Sequence, residues 1–150
     1  MDDKETISKS PDETFEFGER LGERLNGGDV VLLYGGLGAG KTLLTKGILN
    51  ALDFDVDEVT SPSFTLVNLY KTEKFDIFHI DLWRLDGAVN PVGAVGLDEI
   101  LEDESAVVIV EWADRLREFA FYSDVICVRI EGDGDTERRI SIEKRDAKCG

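Results

Sequence analysis

Cysteine is nearly absent from this chain: there are two in 150 residues, Cys127 and Cys149. Two cysteines make neither a disulfide framework nor a zinc site. Cys127 sits in the alternating apolar run "VICVRI" and reads as a small buried residue, while Cys149 belongs to a tail expected to fray. Long hydrophobic runs are missing as well. No stretch approaches the roughly 20 apolar residues of a membrane helix. The opening "MDDKETISKSPDET" is polar and acidic, unlike a signal or transit peptide. The expectation is a cytoplasmic protein with no membrane attachment.

Positive charge is also scarce, with 17 Lys+Arg against 32 Asp+Glu and a formal net charge of −15. A surface this acidic repels phosphate backbones, which argues against direct, unaided nucleic-acid binding. It also makes any phosphate site informative, because such a site must act locally against the global field.

What is present is globular: hydrophobic residues make up 42% and charged residues 33%, in a length that suits one domain. Ser10-Pro11-Asp12-Glu13 has the chemistry of a helix start, and Phe15, Phe17, Leu21 and Leu25 follow near one helical face. Val30 to Tyr34 is a continuous apolar run, suited to a strand buried on both faces. Thr42 to Leu52 then reads as a helix. "SPSFTLVNLY" opens on a turn and continues into β-rich residues. "FDIFHIDLWRL" and "SAVVIVEW" are further strands, with "GLDEILED" as a short helix between them. "DVICVRIEGDGDTERRISIEK" reads as two strands around a Gly-Asp turn. No repeat or linker interrupts this order, so the expected fold class is α/β: a single domain, 1–150, with a mixed central sheet flanked by helices. Residues 1–9 and 146–150 are expected to fray.

Gly35-Gly36-Leu37-Gly38-Ala39-Gly40-Lys41-Thr42 matches G-x-x-x-x-G-K-[ST] in full, a pattern expected by chance in on the order of half a percent of chains this long. It follows a strand and opens a helix. Glycine torsions turn successive N–H groups inward as an anion nest, and the helix aims its positive end at the same place. Lys41 can reach the β- and γ-phosphates, and the Thr42 hydroxyl can ligate Mg²⁺. The stretch is built to hold a nucleoside triphosphate.

Chemistry on that phosphate needs an acid. Asp81 and Glu111 each end an apolar strand, where ligands of parallel sheets bind. Either can hold the metal or orient a nucleophile. "SPSF" lies where P-loop proteins often place a γ-phosphate sensor, making Ser61 and Ser63 candidate contacts, or simply part of a turn. His79 reads as a packed or hydrogen-bonded residue rather than a base. Trp112 either covers the site or belongs to the core. A charge-stabilising arginine among Arg115, Arg117, Arg138 and Arg139 is not indicated.

Taken together, "GDVVLLYGGLGAGKT", "SPSFTLVNLY", "HIDLWRL" and "VEWADRL", in this order and spacing, resemble the TsaE (formerly YjeE) family, from about Ser10 to Ile142. The resemblance implies a P-loop NTPase fold and a small ATPase of bacterial tRNA threonylcarbamoyladenosine (t6A) synthesis, with ATP and Mg²⁺ as cofactors. It implies action with a TsaB–TsaD pair that transfers threonylcarbamoyl to adenosine 37 of tRNA, with hydrolysis resetting that machine between turnovers. The tRNA is then met only through the partners, in keeping with the acidic surface. Carried over by motif position, Gly36, Leu37, Gly38, Ala39, Gly40, Lys41, Thr42 and Leu43 form the ATP-binding loop. Ser10 and Thr14 match the segment near the adenine, and Trp112 the tryptophan beside the nucleotide. Lys41, Asp81 and Glu111 are the implied catalytic residues. Thr42 and Glu111 match the magnesium positions, and whether Asp81 also touches the metal stays open.

Four departures from the family pattern stand out: Gly36 for Asp, Leu43 for Thr or Ser, Ser63 for Thr and Trp83 for Tyr. Leu43 removes a side-chain contact to the α-phosphate, and a modest loss of affinity is expected. None of the four removes a group the chemistry needs. Two other functions fit a P-loop scaffold: a small-molecule kinase, which the short segment after Glu111 argues against, and a nucleotide-dependent binding switch with incidental hydrolysis.

Overall fold

The computed structural model describes residues 4–62, 64–85, 90–117, 119–121 and 124–145. Seven strands form one sheet: β1 (Lys4–Ser8), β2 (Val30–Tyr34), β3 (Val67–Lys71), β4 (Asp76–Asp81), β5 (Val107–Glu111), β6 (Val125–Glu131) and β7 (Arg138–Arg145). Their spatial order is β1-β7-β6-β2-β5-β4-β3. The central four, β6, β2, β5 and β4, run parallel, while β3 adds antiparallel at one edge and β7 and β1 at the other. The mixed α/β sheet expected from the sequence is the sheet the chain forms.

Parallel strands need crossovers, and the helices supply them. Helix α1 (Pro11–Gly22) starts at Ser10, whose hydroxyl accepts from the Glu13 N–H at 3.2 Å, with Pro11 in the first turn. Helix α2 (Lys41–Ala51) follows β2. On the opposite face lie two short helices, α3 (Pro91–Val95) and α4 (Leu97–Leu101); only the second is evident from sequence pattern.

Each face of the sheet carries its own core. Val31 and Leu33 of β2, Ile77 of β4, Val107 and Ile109 of β5 and Val128 of β6 pack under Phe17, Leu21, Leu44 and Ile48 of α1 and α2. The alternate residues Val30, Leu32, Ile80, Val108, Val110 and Cys127 pack against Leu97, Leu116 and Phe121. Helices α1 and α2 cross so closely that a Cβ on Gly18 would lie 2.1 Å from the Leu44 carbonyl oxygen. That approach seats the start of α2 firmly on the sheet.

One boundary is corrected. Residues 1–9 were expected to fray, but Lys4–Ser8 pairs antiparallel with Arg138–Ile142 of β7. An edge strand is held by backbone hydrogen bonds and needs few apolar side chains, so its polar sequence hides it. Residues 1–3, 146–150, and with them Cys149, lie outside the described residues. Cys127 is fully buried, and no free cysteine occurs among the described residues, so reading it as a plain packed residue was incomplete. No described helix is long and apolar enough to cross a membrane.

Candidate nucleotide site

The glycine loop leaves the carboxyl end of β2, the strand at the centre of the sheet. Gly38 (φ 76°) and Gly40 (φ 116°) take left-handed torsions that side chains resist. Gly40 precedes α2 without a side-chain cap, so the first-turn N–H groups remain available to an anion. Lys41 is buried, and its Nζ donates to the carbonyls of Gly35 at 2.7 Å and Gly36 at 2.8 Å. Its ammonium lies 4.2 Å from the centre of the Trp112 ring. Burial holds the Lys41 amine below the usual lysine range, against the opposing pull of Glu111, Asp81 and Asp114.

The two strand-end acids are neighbours. In the parallel β4–β5 ladder Asp81 stands opposite Glu111, and they are only 3% and 2% exposed. Both oxygens of Glu111 accept from the Thr42 hydroxyl, at 3.1 and 3.2 Å. One of them also lies 2.5 Å from His79 Nε2. Asp81 accepts from the Ser61 hydroxyl at 3.1 Å and from the Trp83 N–H at 2.9 Å. The chain turns sharply after Glu111 through Trp112, a non-glycine residue at φ 57°. That strained torsion brings Trp112 to 4.5 Å from Trp83, ring to ring.

Lys41, Thr42, Leu43, Ser61, Asp81, Trp83, Glu111 and Trp112 thus converge, with Leu37, Gly38 and Gly40, on a cleft of about 250 Å³. Gly36 is exposed and does not line it; its part is the carbonyl that Lys41 holds. Ser10 and Thr14 do not reach this cleft. They line a second one, of about 300 Å³, across the loop, which shares Gly38, Gly40 and Leu43 with the first and also includes Ala39. The two form a trough draped over the glycine loop, polar and acidic at one end. Ser63 lies outside the described residues.

Three contributors were missed in the sequence. Arg138 on β7 donates to the carbonyl of Ala39 at 3.0 Å and of Gly38 at 3.3 Å, bracing the loop from behind. The β6–β7 turn, through Gly134, Asp135 and Thr136, walls the second cleft. Tyr70 places its hydroxyl 3.2 Å from His79 Nδ1. The signal for Tyr70 was its position diagonal to His79 on one face of a hairpin, legible only once the register is known.

Mg²⁺ demands oxygen ligands at about 2.0–2.1 Å in octahedral geometry, which sets adjacent oxygens about 2.9 Å apart. The Thr42 hydroxyl and the Glu111 carboxylate, 3.1–3.2 Å apart, fit one edge of such a shell. Among the described residues no cluster of three or more His, Cys, Asp or Glu side chains is arranged to hold a metal.

A central parallel sheet, a G-x-x-x-x-G-K-T loop at its carboxyl end and two in-register acids beside it define a single-domain P-loop protein. Comparison with known proteins narrows this. The family model "Threonylcarbamoyl adenosine biosynthesis protein TsaE" matches residues 8–140, and the chain belongs to that family. A TsaE of Mycobacterium tuberculosis is 38% identical over 138 residues, covering 87% of this chain and 80% of the relative. The TsaE of Treponema pallidum is 33% identical, covering 87% of this chain and 95% of its own length. The crystal structure of Bacillus subtilis YdiB superposes with a TM-score of 0.73 and 28% identity, over 96% of this chain and 86% of that one. Both curated relatives are named as tRNA threonylcarbamoyladenosine biosynthesis proteins, which assigns this chain to t6A biosynthesis.

Proposed function

We propose that the chain is an ATP-binding, slowly ATP-hydrolysing accessory protein. It supports a TsaB–TsaD pair in threonylcarbamoyl transfer to adenosine 37 of tRNA, resetting the complex between turnovers. The observation that carries the ATP reading is the meeting of Lys41, Thr42 and Glu111 at the carboxyl end of the central strand. The partners and the resetting role rest on family membership.

The loop N–H groups and Lys41 grip the triphosphate, and Thr42 and Glu111 hold the metal. Mg²⁺ bound there would supply positive charge beside the phosphates. Asp81, held by Ser61 and Trp83, presents a carboxylate that orients the attacking water. Trp112 and Trp83, in ring contact, form an apolar part of the cleft wall beside the acids. The nucleoside lies across the loop, between the Ser8–Thr14 segment and the β6–β7 turn. The acidic exterior leaves the RNA to the partners.

The test is ATP hydrolysis by the purified chain, alone and with the cognate TsaB–TsaD pair, beside Lys41→Ala. Slow turnover that the pair raises and the mutation abolishes is the expected result. Fast turnover indifferent to the pair contradicts the reading.

A further inference from the structure

The Glu111 carboxylate has a partner that the nucleotide chemistry does not use. His79 is completely buried, two residues before Asp81 on the same face of β4. Its Nε2 lies 2.5 Å from a Glu111 oxygen and its Nδ1 lies 3.2 Å from the Tyr70 hydroxyl. A carboxylate only accepts, so Nε2 carries the proton and donates it to Glu111. The Tyr70 hydroxyl lies between His79 Nδ1, at 3.2 Å, and the Thr60 carbonyl, at 3.1 Å. The Tyr70 oxygen in turn receives the Thr60 N–H at 3.3 Å and the Asn68 side-chain amide at 3.2 Å. That amide also reaches the Thr60 carbonyl at 3.3 Å. Every polar side-chain atom of the row has a hydrogen-bond partner.

We propose that His79 is a positioning residue: braced by Tyr70, it fixes the Glu111 carboxylate on the Thr42 side of the cleft before metal and nucleotide arrive. Glutamate has several rotatable bonds, and in this cleft it has an electrostatic rival, since the Lys41 ammonium attracts the same carboxylate. A carboxylate drawn to Lys41 would neutralise the phosphate grip and vacate the metal edge. A fully buried imidazole, itself tied to the β3 hairpin, holds it away. Outer-shell partners of this kind typically govern metal affinity.

The inference rests on the nucleotide–metal reading above, and its test separates the two. Mn²⁺ serves as the probe, titrated by electron paramagnetic resonance into the full chain with a non-hydrolysable ATP analogue. Analogue affinity is measured separately in EDTA. For His79→Ala, Mn²⁺ affinity falls about 10–100-fold while the metal-free analogue affinity is unchanged. His79→Gln, whose amide nitrogen reaches the place of Nε2, recovers most of the loss. Tyr70→Phe, which keeps the ring and removes only the hydroxyl, loses about a few-fold by the same measure. A folded His79→Ala with wild-type Mn²⁺ affinity, or with a parallel loss in EDTA, overturns the proposal. Should His79→Ala fail to fold, unchanged Mn²⁺ affinity in Tyr70→Phe overturns it. Wild-type protein that does not bind the analogue removes the nucleotide reading, and this inference with it.

Discussion

Lys41→Ala separates a lysine that holds the fold from one that holds a ligand. In the free protein its ammonium donates to the carbonyls of Gly35 and Gly36. Hydrogen bonds to a charged group are worth about 1.5–3 kcal/mol each, so the mutation looks structurally costly. Two features cancel most of that cost. Gly36 is exposed, so its carbonyl is rehydrated once the lysine is gone. The ammonium itself is buried against its preference, as its lowered proton affinity records. The net change in stability is expected to stay within about 1 kcal/mol, or about 2–4 °C in Tm for a domain of this size. Binding is another matter. A unit charge pair at about 3 Å, with an effective dielectric constant of about 20, is worth about 5 kcal/mol. Subtracting the net of about 1 kcal/mol that the lysine gives up with its carbonyl partners leaves about 4 kcal/mol, roughly a 10³-fold loss of ATP affinity. Thermal denaturation and calorimetric titration with ATP measure the two effects on one preparation. Wild-type ATP affinity in the mutant, or a collapse of its Tm, refutes the reasoning.

Gly18→Ala is expected to destabilise the protein by about 3 kcal/mol, because its Cβ would meet a main-chain oxygen of α2 rather than a flexible side chain. A Tm within a degree of wild type contradicts that packing. Arg138→Ala is expected to weaken ATP binding about 5–10-fold by freeing the loop carbonyls; unchanged affinity means the loop holds its shape without the arginine. ATP binding at alkaline pH is expected to take up protons. Burial depresses the Lys41 pKa in the free protein, and the phosphates raise it again. Calorimetry in two buffers of different ionisation enthalpy reads the uptake, and proton release contradicts it. The same depressed pKa makes the nucleotide-free protein gain stability as pH rises from the lowered lysine pKa toward the ordinary one, since only the unfolded chain keeps the proton there.

The parts of the fold legible in the sequence are those encoded locally. Val30 to Tyr34 is apolar at every position because β2 is covered on both faces, and the glycine motif follows it directly. The Ser10-Pro11 helix start needs no knowledge of the rest of the chain. Asp81 and Glu111 could be named as strand-end acids, but their pairing depends on the β4–β5 register, which nothing local specifies. The bond between His79 and Glu111 is hidden for the same reason. A buried histidine in a strand has many uses, and only the alignment of three strands selects this one. Arg138 lies 99 and 100 residues along the chain from the carbonyls it holds, beyond the reach of any spacing rule. β1 stayed hidden because an edge strand can be polar.

The most direct test is the structure of the chain with Mg²⁺ and a non-hydrolysable ATP analogue. The triphosphate is expected along the Gly38–Thr42 loop, the metal against Thr42 and Glu111, and the nucleoside beside Ser10, Thr14 and the β6–β7 turn. The larger cavity, about 640 Å³, lies at the opposite end of the sheet around Gly27, Val30, Val108 and Asp124. Nucleotide seated there, with the glycine loop empty, would contradict the account.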